Sequence, residues 1–162
     1  MNKPVKSNFC FVDTNRSILT LDGEDKIEFL QALTTNNIEN VSEEEIIYTA
    51  ILSPQGKYLF DFFVFTLGKN EIFIDIHQSR AADLKKFLEF YKLNADVIIS
   101  FLNCQVVLSS VREEIFCFAD PRAENLGWRC YDLKEEFVNQ GKGLAEFEIT
   151  RIMSLIPETG IE

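Results

Sequence analysis

Two aromatic-rich runs on either side of a short turn constrain the fold of this chain more than any other feature. The runs are 46–52 (IIYTAIL) and 58–67 (YLFDFFVFTL), and Ser53-Pro54-Gln55-Gly56 stands between them. β-Branched and aromatic residues favour strands, while proline and glycine close together favour a turn. The segment therefore predicts an antiparallel hairpin that places Tyr48 and Asp61 on adjacent strands.

The remaining sequence alternates short strand and helix patterns. Apolar residues at helical spacing predict three helices, the first starting at Asp22 or Gly23, the second capped by Ser79, and the third over about 144–154. Further strands are predicted at 10–13, 18–21, 71–76, 96–100, 104–110, 114–119 and 128–133, with polar turns at 14–16 and 68–70.

This order of elements predicts an α+β fold with mostly antiparallel sheets and covering helices. Residues 1–100 contain enough strands and helices for a first α+β subdomain, and residues 101–162 form a second. The short connections around the central hairpin predict three adjacent antiparallel strands within the first subdomain.

Charge and hydropathy exclude several classes of function. The net charge of −10 comes from 26 acidic and 16 basic residues, and such a surface repels phosphate backbones, which argues against direct nucleic-acid binding. No segment approaches the roughly 20 apolar residues that span a bilayer. The N-terminal segment MNKPVKSNF lacks the apolar core of a secretory signal, so we expect a cytoplasmic protein without membrane association.

The cysteines do not predict a metal site. Cys10, Cys104, Cys117 and Cys130 form no close pair, and none is near His77, the single histidine, which we interpret as a strand-end surface residue. Because the last three cysteines occur in apolar, strand-like runs, we predict buried and inert thiols. A shared redox or metal role is the alternative, since strands can pair in space.

Two longer patterns carry a family resemblance. Residues 21–36 read LDGxDxxxFLQxLTTN, and residues 48–65 read YTxxLSxxGKxxxDxxVF. They resemble the folate-binding family that includes the T protein of the glycine cleavage system and the YgfZ-type proteins of iron–sulfur cluster maintenance. DPR at 120–122 with LGWR at 126–129 also matches, and FEITRI at 147–152 leads into IPE. These later motifs look more like the YgfZ branch.

The resemblance implies the N-terminal folate-binding-type domain of this family, with tetrahydrofolate as the ligand. Asp61 matches an acid that works on the reactive nitrogens of folate, and Tyr48 matches a folate-contacting tyrosine. Asn36, which closes the first pattern, is a third predicted ligand residue. The residues alone leave alternatives open, because Tyr48 can simply pack and Asp61 can cap a turn or pair with an arginine.

Arginines are predicted to hold the carboxylates of a folate tail, which a guanidinium can bind bidentately. Arg122 and Arg151 are the predicted ligand residues of this type, and Arg129 is a further possibility. The structural alternative is an ion pair, for which Asp120 is the obvious partner of Arg122.

Two positions depart from the T proteins. Phe60 and Met153 stand where those proteins commonly carry acids, and a thioether cannot accept ring protons as a carboxylate does. Asn37 stands where the family often has aspartate, and it is either a helix cap or a lost contact.

The resemblance therefore implies a tetrahydrofolate-binding accessory protein for iron–sulfur cluster assembly or repair, which affects tRNA modification indirectly and is not itself a catalyst. Its expected partners are folate and iron–sulfur assembly proteins or client enzymes. One alternative is an enzyme, the folate-dependent aminomethyltransferase of glycine cleavage. The other is a fragment that binds partners without folate activity.

Proteins of this family are longer, and the YgfZ motif KGCYxGQE does not occur in the sequence. The resemblance thus implies the N-terminal portion only, with an incomplete second subdomain and without the C-terminal barrel. Because an incomplete domain exposes apolar surface, self-association into a homo-oligomer is a further expectation.

Overall fold

The computed structural model describes residues 8–68 and 71–157. These residues contain nine strands and three helices. The strands are β1 (Cys10–Val12), β2 (Arg16–Asp22), β3 (Ile47–Leu52), β4 (Tyr58–Phe65), β5 (Ile72–His77), β6 (Ile98–Leu102), β7 (Gln105–Ser109), β8 (Phe116–Ala119) and β9 (Trp128–Asp132). The helices are α1 (Lys26–Leu33), α2 (Gln78–Tyr91) and α3 (Leu144–Met153), with single 3-10 turns at Ile38–Asn40 and Glu124–Leu126. The predicted α+β class with antiparallel sheets is confirmed.

The described residues divide into two units. Asn15–Asn103 form the first unit, and residues 8–14 join residues 104–157 in the second. The sequence suggested a single division near residue 100, whereas the structure adds the N-terminal strand to the second unit.

The first unit is built on a five-stranded antiparallel sheet in the order β3-β4-β5-β2-β6. The predicted set of three adjacent antiparallel strands appears in it as β3, β4 and β5. Alternate side chains of these strands, such as Ile51, Phe62 and Ile74, are 0 to 1% exposed and pack with Leu30 of α1 and Leu84 of α2. Each such side chain stabilises the fold by about 1.5–3 kcal/mol on burial, so this face fixes the register of the sheet.

The opposite face of the same sheet is polar and aromatic. It carries Tyr48 on β3, Asp61 and Phe63 on β4, Asp75 on β5 and Arg16 on β2, as the strand registers require. Side chains in strands alternate between faces, so the apolar residues that bury one face leave these side chains together on the other.

The second unit contains a four-stranded antiparallel sheet in the order β1-β7-β9-β8. On it, Phe147 of α3 packs edge-on against Phe9 and Phe11, with ring centroids 5.2 and 5.6 Å apart. The sequence suggested that the strand at 10–13 is joined by a turn to the strand at 18–21. The turn exists, but β1 pairs with β7. The reason is that Phe9 and Phe11 bury their rings in a hydrophobic cluster with Phe147 of α3, here called the α3 cluster, whose other members are Leu108 and Leu126.

Two capping expectations are settled by hydrogen bonds. The prediction that Ser79 caps α2 is wrong, because the Nδ1 of His77 accepts from the Ser79 backbone N–H and makes His77 the N-cap. Of the two readings of Asn37, the cap is confirmed: its side chain accepts from the Glu39 backbone N–H and starts the turn Ile38–Asn40.

The expectation of buried, inert thiols at Cys104, Cys117 and Cys130 is wrong for two of the three. Cys117 and Cys130 lie opposite each other on β8 and β9, with Cα atoms 4.0 Å apart, and form a disulfide. The equal spacing of the cysteines concealed this because pairing depends on strand register. Cys10 and Cys104 lie outside this disulfide, and burial raises the pKa of Cys10.

Within residues 8–68 and 71–157, no group of three or more histidine, cysteine or acidic side chains could hold a metal ion. Across the same residues, no helix combines the length and apolarity needed to cross a membrane. The N-terminal segment before Asn8, part of the predicted turn at 68–70 and residues 158–162 lie outside the described residues.

Candidate ligand site on the first unit

A carboxylate held by two tyrosines is the centre of the candidate site. The Tyr48 hydroxyl donates to Asp61 Oδ2 at 2.6 Å, and the Tyr58 hydroxyl donates to Asp61 Oδ1. Tyr48 and Asp61 are half-buried, while Tyr58 is 53% exposed. Hydrogen bonds to an ionised carboxylate are stronger than bonds between neutral groups, so the two hydroxyls orient this acid.

Strand register explains how Tyr48 reaches Asp61. Tyr48 pairs with Phe63, and Ala50 pairs with Asp61, so the tyrosine and the acid are diagonal neighbours on one sheet face. Diagonal pairs lie about 7–8 Å apart at Cα, a distance that an aromatic side chain spans. The predicted hairpin therefore brings Tyr48 and Asp61 into contact.

A bulge explains how Tyr58 reaches the same acid. The pairing shifts between Ile51, opposite Phe60, and Leu52, opposite Tyr58, so Leu59 is an extra residue on β4. In a regular strand, residues three apart point to opposite faces, but one extra residue brings them to the same face. Sequence reasoning missed Tyr58 because it assumed regular alternation.

The turn beside the bulge is fixed locally. The Gly56 backbone N–H donates to the Ser53 carbonyl at 2.8 Å, and Gly56 has a φ of 76°, a conformation that glycine adopts without strain. The Ser53 backbone N–H donates in turn to the Lys57 carbonyl at 2.7 Å. The predicted turn therefore closes the hairpin immediately before Tyr58.

Behind the carboxylate, the Tyr48 ring packs on the buried Phe63 ring, which lies next to a buried ion pair. The rings of Tyr48 and Phe63 have centroids 5.0 Å apart, and the Arg16 guanidinium carbon lies 5.7 Å from the Phe63 centroid. Arg16 Nε is 2.6 Å from Asp75 Oδ1, and the Asp75 side chain is fully buried. Sequence reasoning missed Arg16 and Phe63; the only signal was an arginine at a strand start and aromatic residues throughout β4.

Asn36 supports Tyr48 through the backbone. Its side-chain amide donates to the Tyr48 carbonyl at 3.1 Å, and its backbone N–H donates to Thr49 Oγ1 at 3.1 Å. The predicted residue therefore lies beside Tyr48 on the exposed end of the α1 loop, where it holds β3 in place.

The two predicted arginines belong to the second unit, and each makes a local ion pair. Arg122 donates to both carboxylate oxygens of Asp120, at 2.9 and 2.7 Å, which confirms the expected partner. Arg151 donates to Glu148 at 2.8 Å and to the Ile156 carbonyl at 2.7 Å. Both arginines stabilise loops or helix ends of the second unit, and their contact with a ligand stays a prediction.

Two surface cavities are lined by other residues. One, of about 360 Å³, lies in the first unit near Lys26, Val41 and Thr66. The other, of about 620 Å³, lies in the second unit near Phe116 and Leu133. Neither is lined by Tyr48, Tyr58 or Asp61.

Chemically, the site combines a hydrogen-bond acceptor with an aromatic surface. Asp61 can accept from N–H or O–H donors of a ligand, and the half-buried Tyr48 offers a ring against which a flat heteroaromatic group can pack. Phe63 is 1% exposed and supports the Tyr48 ring from below. This combination suits a planar ligand with hydrogen-bond donors at its edge.

Comparison with known proteins finds relatives of two kinds. It is 29% identical to the mitochondrial iron–sulfur cluster assembly factor IBA57 homolog of Neurospora crassa, over 56% of this chain and 22% of that protein. It is 28% identical to the Coccidioides immitis homolog, over 89% of this chain and 43% of the relative. It is 27% identical to the aminomethyltransferase of Bacillus subtilis, over 86% of this chain and 36% of the relative.

Over part of their length, the chain is similar to YgfZ-type iron–sulfur cluster assembly factors and to glycine cleavage aminomethyltransferases. It spans less than half the length of each of these three relatives. The glycine cleavage system aminomethyltransferase T of Bartonella henselae shares its fold, with a TM-score of 0.55 and 14% identity over 60% of this chain and 27% of the other. No family model matches the chain.

The two positions that depart from the T proteins lie in different surroundings. Phe60 is 6% exposed and faces the helices, where its ring packs edge-on against Phe87 at 5.5 Å. Met153 is 79% exposed at the end of α3. An apolar side chain therefore occupies each position at which a T protein is expected to carry an acid.

Proposed function

We propose that this chain is an accessory protein for iron–sulfur cluster assembly or repair that binds tetrahydrofolate at Asp61. The relatives support the first part, since several are named as iron–sulfur cluster assembly factors. The observation that carries the second part is the 2.6 Å hydrogen bond that orients the Asp61 carboxylate beside the Tyr48 ring.

The residues present fit a folate ligand. A pterin is flat and carries N–H donors, so Asp61 would accept from its edge while the Tyr48 ring, which packs on the buried Phe63, contacts its face. Asn36 would hold the β3 backbone in position through its bond to the Tyr48 carbonyl. Bound tetrahydrofolate would supply ring nitrogens that carry one-carbon groups.

An aminomethyltransferase is the second candidate, favoured by the similarity to the Bacillus subtilis enzyme. The apolar residues Phe60 and Met153 argue against it, since neither can accept the protons that a carboxylate would. We therefore favour a cytoplasmic accessory role that reaches tRNA modification indirectly, with iron–sulfur assembly proteins or client enzymes as partners.

Calorimetry with folinic acid tests the ligand. The wild-type chain should give a saturable signal, and Asp61→Asn should weaken binding by about tenfold or more, because a hydrogen bond to a charged group contributes about 1.5–3 kcal/mol. Asp83→Asn is the matched control, since Asp83 is a 56% exposed acid on α2. Absence of saturable heat with the wild-type chain would exclude folate as its ligand.

A deletion strain tests the biological role. Loss of the gene should lower the activity of iron–sulfur enzymes and leave glycine cleavage intact, whereas the reverse pattern would identify the transferase. Complementation with Asp61→Asn then separates the two parts of the proposal. Full rescue by this variant would detach the iron–sulfur role from the ligand site and favour a chain that only binds protein partners.

A further inference from the structure

Helix α3 has apolar side chains on two faces, and only one of these faces is buried. Phe147 on the inner face is 5% exposed and packs in the α3 cluster. On the outer face, Ile149, Ile152 and Met153 recur at i, i+3 and i+4 and are 58, 60 and 79% exposed. Leu144 and Leu155, at the two ends, are 57 and 90% exposed. Because a helix that is apolar on both sides is normally buried on both, the outer face predicts a partner.

The outer face is held in a fixed orientation. The Asn125 side-chain amide donates to Ser154 Oγ at 2.9 Å and ties the end of α3 to the turn Glu124–Leu126. Phe147 anchors the middle of the helix by its edge-on contacts with two other rings. Since the helix is anchored before a partner arrives, association costs little ordering of its backbone.

The size of the outer face fits reversible association. Its five large apolar side chains are each more than half exposed and present on the order of 500 Å² of apolar surface, which is at the upper end for the largest patch on a monomer. A stable complex buries about 800 Å² on each partner. The face is therefore large enough to form an interface and too small to hold a permanent one.

The charges on α3 argue against a lipid surface as the partner. Its charged residues are Glu146, Glu148 and Arg151, and Arg151 is 8% exposed and donates to Glu148. Helices that lie on membranes instead carry lysine and arginine on their polar face. The net charge of −10 also opposes contact with anionic lipids. The partner is therefore a protein surface.

A second copy of this chain complements the outer face when two α3 helices cross antiparallel at Ile149. A two-fold axis at Ile149 places each residue before it opposite the residue equally far after it in the other copy. The exposed Ala145 of each copy then meets Met153 of the other, so a small side chain receives a long and flexible one. Glu146 lies opposite Ile152, so the two Glu146 side chains do not oppose each other.

We propose that the outer face of α3 is the interface of a weak homodimer, in which two chains pair antiparallel about Ile149. The interface belongs to the second unit and does not use Asp61, so it is independent of the proposed ligand site. Each copy carries a net charge of −10, and the like charges oppose the dimer. Added salt screens this repulsion and should therefore strengthen the association.

Sedimentation equilibrium over the micromolar range measures this association. The average mass should rise from 18.7 kDa towards twice that value, with a Kd of about 10–100 µM. Ile149→Glu should weaken association at least about tenfold, because it places two like charges on the two-fold axis. Phe90→Glu is the matched control: it adds the same charge at a 74% exposed position on α2 and should associate like the wild type.

Three results of this experiment would overturn the proposal. A wild-type chain that stays monomeric throughout would leave the outer face of α3 to a different protein. An Ile149→Glu chain that associates as well as Phe90→Glu would assign the dimer to another surface. A dimer that dissociates when salt is added would be held by ion pairs and not by apolar contact.

Cysteine cross-linking tests the antiparallel arrangement, with the wild type as control for Cys10 and Cys104. Under mild oxidation, Ile149→Cys should form a covalent dimer with itself. A mixture of Ala145→Cys with tagged Met153→Cys should give mainly the mixed dimer, because each of these positions faces the other in the partner. Self-linking of each variant in preference to the mixed product would indicate a parallel pair and contradict the proposal, as would the absence of any cross-link.

Discussion

In the second unit, the buried carboxylate of Asp120 lies next to two arginines. Its side chain is 1% exposed and contacts Arg122 at 2.7 Å and Arg129 at 3.8 Å. Burial raises the pKa of Asp120, but hydrogen bonds from Arg122 and the charges of both arginines outweigh it and hold the pKa below its ordinary value. Asp120→Asn should lower the free energy of unfolding at pH 7 by about 3 kcal/mol, because it leaves buried guanidinium charge without its carboxylate.

The pH dependence of this effect has a definite sign. Asp120 has a lower pKa in the folded chain than in the unfolded chain, where it is about 3.9, so its contribution is complete above that pH and is lost as pH falls through the folded value. Urea unfolding can be measured from pH 7 to pH 3. The difference in the free energy of unfolding between the wild type and Asp120→Asn should therefore decrease only below about pH 4. Asp83→Asn, at an exposed ion pair, serves as control. A gap that stays constant down to pH 3 would contradict the charge argument.

At the scale of single residues, part of the site could be predicted from the sequence. An acid within YLFDFFVF and a tyrosine on the preceding strand follow from composition and hairpin pairing, and the structure joins them by a hydrogen bond. Tyr58 could not be predicted, because its position on the face depends on one extra residue in the strand. Arg16 could not be predicted either, since its partner Asp75 is 59 residues away.

At the scale of elements, a disulfide holds the edge strand β8 to its neighbour β9. β8 is a short edge strand that pairs only with β9 within the described sheet, and the Cys117–Cys130 disulfide joins the two. The two cysteines are 13 residues apart in sequence. Closing a loop of this length lowers the entropy of the unfolded chain and so stabilises the folded chain by about 3 kcal/mol. The double variant Cys117→Ala/Cys130→Ala should therefore lower the free energy of unfolding by about that amount.

Reductant provides the check on this element. A dithiol should lower the free energy of unfolding of the wild type to that of the double variant and leave the double variant unchanged. In the unfolded wild-type chain, the number of cysteines that react with a thiol label should rise from two to four when the dithiol is added. Cys104→Ala, which removes a thiol outside the disulfide, should respond to the dithiol like the wild type. Equal labelling with and without reductant would mean that the pair is already reduced, as the proposed cytoplasmic location favours. Sequence spacing could not reveal this pair, because β8 and β9 could have paired in another register.

Across the whole molecule, the N-terminal strand belongs with residues far along the chain. Phe9 is 1% exposed and packs against Phe147, and Cys10 pairs with Ser109 across β1 and β7. The class of fold was readable from local patterns, but this long-range pairing was not, since a three-residue strand fits several partners equally well by sequence. Only the aromatic burial in the α3 cluster decides between them.

This topology predicts that the two units lose structure separately. Phe9→Ala should cost about 3–5 kcal/mol, as for other large-to-small core changes, and the loss should fall on the second unit. Amide hydrogen exchange should then show lower protection in β7, β9 and α3, while β3, β4 and β5 keep theirs. The fluorescence of Trp128, the single tryptophan, reports the same unit because Trp128 lies on β9. Phe62→Ala, a fully buried change in the first unit, should give the opposite pattern, and equal loss of protection in both units from either variant would show that they unfold as one.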